Sequence, residues 1–124
     1  MFKVDWAATE PVWQNHVNVV AAWAFGSAKD GVVRDGGDLD IALLLTHYPS
    51  LAERLALMCD LQAVFPMVEV DTVVLNGANS VLRFEAVSGR VLFCRDRNQQ
   101  AAFVSLTARE YEDDMALVEA HLAR

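Results

Sequence analysis

The spacing of apolar residues changes several times along the chain, and each change marks a predicted element. Thr9-Glu10-Pro11 has the make-up of a helix start: a capping hydroxyl, then an acid and a proline in the first turn, where a missing N–H costs nothing. Val12, Trp13, His16, Val17 and Val20 then recur at helical spacing. Residues 21–25 are continuously apolar, which predicts a buried strand that stops at Gly26-Ser27. Residues 28–37 are polar and contain Gly31, Gly36 and Gly37, material for a loop or one short helix. Residues 38–45 read as the next strand. Ser50 then caps a helix whose predicted buried stripe is Leu51, Leu55, Met58, Leu61 and Phe65, and Pro66 stops it. Residues 67–75, rich in valine, predict a third strand; residues 80–87 a short helix or turn; residues 90–94 a fourth strand. From about Gln99 the chain reads as helix to its end, with Tyr111, Met115, Val118 and Leu122 on one face.

Alternating strands and helices, without repeat or linker, predict a single domain over residues 1–124. Its expected class is α/β (α+β), a mixed sheet of about four strands flanked by helices. Composition narrows what such a domain does. Hydrophobic residues are 54% of the 124 and charged residues 22%, which excludes intrinsic disorder. A net charge of −7 argues against holding nucleic acid by general phosphate attraction. The acid suits bound cations or a basic partner, and the apolar excess suits a surface covered by another subunit. The longest apolar run, residues 19–25, is far short of the roughly 20 residues of a membrane span, and no secretory signal pattern is visible. A cytoplasmic location is the expectation. Cys59 and Cys94 lie in largely apolar contexts without metal-ligand spacing and are expected to be buried free thiols.

Chemistry enters where acids interrupt apolar strands. In Gly37-Asp38-Leu39-Asp40-Ile41-Ala42-Leu43, residues two apart share a face of the strand. Asp38 and Asp40 therefore project together while Leu39, Ile41 and Leu43 face the core. Paired carboxylates repel, and a divalent cation or a shared proton relieves them. Asp71, in Val70-Asp71-Thr72-Val73, closes a three-carboxylate cluster if its strand is a neighbour. Hard oxygen ligands of this kind suit Mg²⁺, and such a site can hold two ions about 4 Å apart. Upstream, Gly26 lets the backbone approach a phosphate and Ser27 adds a hydroxyl; a helix starting there would add its first N–H groups. Glu69 falls on the same face as Asp71 and is a weaker candidate ligand. Lys29, Arg34 and Arg83 are candidates for touching a triphosphate, with solvated surface charge as the plainer reading. The acidic run Glu110, Glu112, Asp113 and Asp114 reads as the solvated side of the last helix, and His16, His47 and His121 have no partner spacing.

Gly26-Ser27, ten residues, then Asp38-Leu39-Asp40 resembles the signature of the DNA polymerase β-like nucleotidyltransferases. With Gly31 and the segments 70–76, 82–85 and 89–96, the chain is similar to their minimal branch, the MntA-like antitoxins of HEPN/MNT pairs, from about Ala22 to Asp96. The resemblance implies the polymerase β-like fold, a triphosphate gripped by Gly26 and Ser27, metals on Asp38 and Asp40, and Asp71 completing one metal site. It departs at Gly37, where relatives commonly carry a serine. It implies a Mg²⁺-dependent transfer of AMP from ATP to a tyrosine of a cognate HEPN-type toxin, which silences the toxin. Two other readings stand beside it: a non-catalytic antitoxin that occludes its partner, and a nucleotidyltransferase acting on a small molecule. The chain is too short for a dedicated acceptor domain, so a partner or a second copy of the chain is expected to build that side.

Overall fold

In the computed structural model, which describes residues 1–123, everything is built on one apolar strand, Asp38–Leu45. In chain order the elements are β1 (Phe2–Lys3), α1 (Glu10–Asn15), β2 (Val19–Phe25), β3 (Val32–Val33), β4 (Asp38–Leu45), α2 (Leu51–Val64), β5 (Glu69–Val74), α3 (Ser80–Val87), β6 (Arg90–Cys94) and α4 (Arg97–Leu122), with single 3₁₀ turns at Trp6–Thr9 and Gly26–Ala28. The main sheet has the order β5-β4-β2-β6. Strand β4 pairs antiparallel with β2 and parallel with β5, so the sheet is mixed, as expected. Strands β1 and β3 form a small antiparallel ribbon beside it.

Alternation along β4 explains the two cores. Leu39, Ile41, Leu43 and Leu45 face α1 and α2, packing with Val12, Trp13, Leu57 and Leu61. Ala42 and Leu44 face α3 and α4, packing with Trp23, Phe25, Ala86 and the half-buried Phe103 and Val104. Every residue of β2 is buried, which is why its sequence is apolar without alternation. Each fully buried leucine contributes roughly 1.5–3 kcal/mol relative to exposure, so this three-layer sandwich carries most of the stability.

Local signals place the ends. Ser50 and Glu53 make a reciprocal capping box on α2, and Asp96 caps α4 through the Gln99 N–H. The Asn76 side chain bridges the N–H and C=O of Leu45, ending β4 where the chain leaves β5. The structure corrects several expectations. Thr9 does not cap α1: its buried hydroxyl donates to the Trp6 carbonyl and accepts from Trp13 Nε1. The helix then ends at Asn15, and β2 begins at Val19 rather than 21. On α2 the buried residues are Leu57 and Leu61, while Leu51, Leu55 and Met58 are 73%, 48% and 37% exposed. The two cysteines are free thiols but not buried ones as expected: Cys59, on the outer side of α2, is exposed and Cys94 is half-buried. The final helix starts two residues before Gln99 and extends past the body, leaving Leu117 and Leu122 exposed.

Candidate active site

Strand pairing brings the acids together. Asp40 of β4 stands in register with Asp71 of β5 on one side and with Phe25 of β2 on the other. Asp38 lies two residues before Asp40 on the same face. One carboxylate oxygen from each of Asp38, Asp40 and Asp71 lies within 4.8 Å of the others, and no other such group of three converges among the described residues. The strands that carry them are neighbours, which was the condition for a three-carboxylate cluster.

Electrostatics bears the mark of that crowding. Asp71 holds its proton up to about 6, chiefly through a hydrogen bond with the Asp38 carboxyl, with desolvation and the charges of Asp38, Glu69 and Asp40 adding to it. Asp40 is also pushed above the ordinary carboxylate range, by burial first and then by Asp38 and Glu85. Three oxygen donors with mutual repulsion and no basic side chain inserted between them fit a hard divalent cation. Glu69, in register with Asp38 and exposed, contributes charge to the site without joining the cluster.

Gly26 has a second role that spacing did not reveal. Its φ is +74°, a conformation that favours glycine, and a Cβ built there would run into the carboxylate of Asp40. The turn therefore sits against the cluster. Ser27 follows with an exposed side chain, while its carbonyl accepts from Arg34 at 3.3 Å. No α-helix starts after Ser27. A single 3₁₀ turn occupies Gly26–Ala28 and the chain goes on to β3, so the expected helical N–H groups are not supplied.

The candidate cations separate. Arg34 is tied to Asp30 at 2.9 Å and to the Val32 and Ser27 carbonyls. Arg83 bonds the Leu75 carbonyl, lies 3.5 Å from Glu110 and covers the Phe103 ring. Lys29 is exposed and makes no ion pair among the described residues. Two of the histidines are tied to acids: His16 bonds Asp60 at 2.6 Å and so joins α1 to α2, and His47 bonds Glu53. Glu85 was missed in the sequence. It stands on α3, and only the docking of that helix brings its charge near Asp40.

The profile of the family described as polymerase beta nucleotidyltransferase matches residues 8–98. No curated protein matches the chain at a significant level. Among solved structures, a mutant MntA–HpeT toxin–antitoxin is 20% identical over 97% of both chains, with a TM-score of 0.82. A toxin–antitoxin with AMP-PNP is 21% identical over 97% of both chains, with a TM-score of 0.80. A tri-AMPylated Shewanella oneidensis HEPN toxin in complex with MNT antitoxin is matched at 21% identity over 95% of this chain and 92% of that one, with a TM-score of 0.74. At such identity the likeness is one of fold.

Proposed function

The chain belongs to the polymerase β nucleotidyltransferase family, and from that premise we propose that it transfers AMP from ATP to a tyrosine hydroxyl of a HEPN-type toxin, acting as its antitoxin. The observation that carries the reading is the convergence of Asp38, Asp40 and Asp71 beside the Gly26 turn. A protein that only occludes its partner has no use for three mutually repelling acids aligned on two adjacent strands. The structural neighbours, a toxin–antitoxin with AMP-PNP and an AMPylated HEPN toxin with its MNT antitoxin, support the donor and the acceptor.

In the proposed reaction the tyrosine oxygen forms a bond to the α-phosphorus, the bond to the bridging oxygen breaks, and pyrophosphate leaves. Asp38, Asp40 and Asp71 are the residues that would hold Mg²⁺, two ions in the fullest version. When bound, the metal supplies charge neutralisation for the phosphates and for the attacking oxygen. Asp40 abuts the Gly26 turn, and with Asp38 on the same face of β4 it would serve the triphosphate. Asp71 lies on the outermost strand of the sheet, the side left for an acceptor in this reading. Catalysis here is positioning and electrostatics, with the protein fixing the acids on paired strands instead of loops. ATP as donor suits a cytosolic protein, and no helix among the described residues is long and apolar enough to cross a membrane.

The test is incubation with ATP labelled at the α-phosphate, with Mg²⁺, and with or without the protein encoded beside this one. Label on that partner supports the antitoxin. Label only on a free small molecule leaves the transferase and removes the toxin, and no transfer with any acceptor removes both.

A further inference from the structure

Of the three acids, Asp71 stands on the least secure footing. Asp38 and Asp40 belong to β4, which is held between two neighbouring strands, whereas β5 is outermost and paired along one side only. The ends of an edge strand are where pairing opens most readily, and Asp71 is the third residue of Glu69–Val74.

Along β5 the ladder to β4 uses the backbone groups of alternate residues. At the strand's end the Leu75 N–H donates to the Leu43 carbonyl at 2.8 Å. Asp71 and Val73 therefore turn their N–H groups to β4 as well, and Val70 turns its own to the open side. Gln62, in the last turn of α2, meets it there. Its Oε1 accepts from the Val70 N–H at 3.1 Å, and its Nε2 donates to the carbonyls of Phe65 at 3.1 Å and Val68 at 2.7 Å. A carboxamide offers two N–H groups and one oxygen, and here each has a partner.

Resting on the nucleotidyltransferase reading, we propose that Gln62 is a positioning residue for the cation site. Its carboxamide takes the place of a neighbouring strand, fixes residues 68–70 to the end of α2, and so holds Asp71 opposite Asp40. Closing the turn after α2 needs only the two carbonyl bonds. The third bond reaches past the turn to the residue before Asp71, whose partner across the ladder is Asp40. Gln62 bonds none of the acids and acts through the backbone of β5 alone. A ligand set depends on the mutual placement of its oxygens, and hydrogen bonds behind the ligands maintain that placement. The side chain is half-buried, so water competes poorly for its partners.

Calorimetry with Mg²⁺ alone, beside urea unfolding, tests the assignment on the full chain and on Gln62→Met. Methionine matches glutamine in length and helix propensity and makes none of the three bonds. The folded variant should bind Mg²⁺ about tenfold more weakly. In the AMP-transfer assay kcat should fall while the KM for ATP changes less than about twofold, because Gly26 and β4 are untouched. A variant that is less stable yet binds Mg²⁺ like the parent overturns the proposal and leaves Gln62 a stabiliser of the turn. A raised KM for ATP with unchanged kcat overturns it too. If Gln62→Met does not fold, Gln62→Asn decides. It keeps the amide on a stem one carbon shorter that cannot span all three partners, and unchanged Mg²⁺ affinity there overturns the proposal. A parent protein that binds no Mg²⁺ sinks the nucleotidyltransferase reading as well. Mg²⁺ binding that ignores the Gln62 variants sinks the positioning role alone.

Discussion

Asp71 keeps its proton to about 6 chiefly because it shares a hydrogen bond with the Asp38 carboxyl, with burial and the charges of Asp38, Glu69 and Asp40 adding to it, and that shift has thermodynamic consequences. Between pH 4 and 6 Asp71 binds more proton in the folded protein than in the unfolded chain, where carboxylates titrate near 4. Without metal, the contribution of Asp71 to stability therefore falls as pH rises through that window and levels off above it. Denaturant titrations at pH 4 and pH 7 check the sign; Asp71→Asn should flatten the difference. Divalent-cation affinity should rise with pH through about 6, as the proton leaves the ligand. Replacing Asp38 or Asp40 by Asn should remove transfer while leaving the fold intact or slightly more stable, because repulsion is relieved. A variant that kept more than about a tenth of the activity would take that residue out of the site. Gly26 is the residue where structure adds most. Gly26→Ala should cost about 1–2 kcal/mol for its positive φ and also displace Asp40, so cation binding suffers together with nucleotide binding. Calorimetry with the cation alone separates this from a pure phosphate role, in which cation affinity would be unchanged.

Elements were legible where the signal was local and ambiguous where it depended on what lay opposite. β4 and β6 fall where the alternation and turn residues put them, and so does α3. On α2, two apolar stripes compete: Leu51, Leu55 and Met58 on one side, Leu57 and Leu61 on the other. Helical spacing cannot choose between them, because the choice belongs to the sheet that the helix covers. Leu57→Ala should accordingly cost about 2–5 kcal/mol and Leu51→Ala or Leu55→Ala less than about 0.5, measured by urea unfolding. Equal costs would mean that the helix is rotated. The two-residue strands β1 and β3 carry no readable pattern at all, since two residues do not make an alternation. Thr9 was misread for a related reason: a hydroxyl near a helix start suits a cap, and only the placement of Trp6 and Trp13 diverts it into the core. Among the site residues, the acids could be read because charge inside an apolar strand is conspicuous. Glu85 could not, because its helix shows nothing unusual until it docks.

At the scale of the molecule, the acids stand at one end of a mixed sheet, with the Gly26 turn on the β2 side and the open edge strand β5 on the other. Under the proposed function, that asymmetry would leave the donor and the acceptor separate approaches. Apolar residues remain uncovered on α2 and at the end of α4. The proposed function calls for a folded partner that presents a hydroxyl to the Asp71 side, over an interface of more than about 1,000 Å². The most direct measurement is the intact mass of that partner after incubation with this protein, ATP and Mg²⁺, set beside the same mixture containing Asp38→Asn. The proposed transfer predicts one or more AMP additions on a tyrosine with the parent protein, and none with Asp38→Asn although the complex still forms. An unmodified partner in a stable complex with the parent protein, ATP and Mg²⁺ would contradict it.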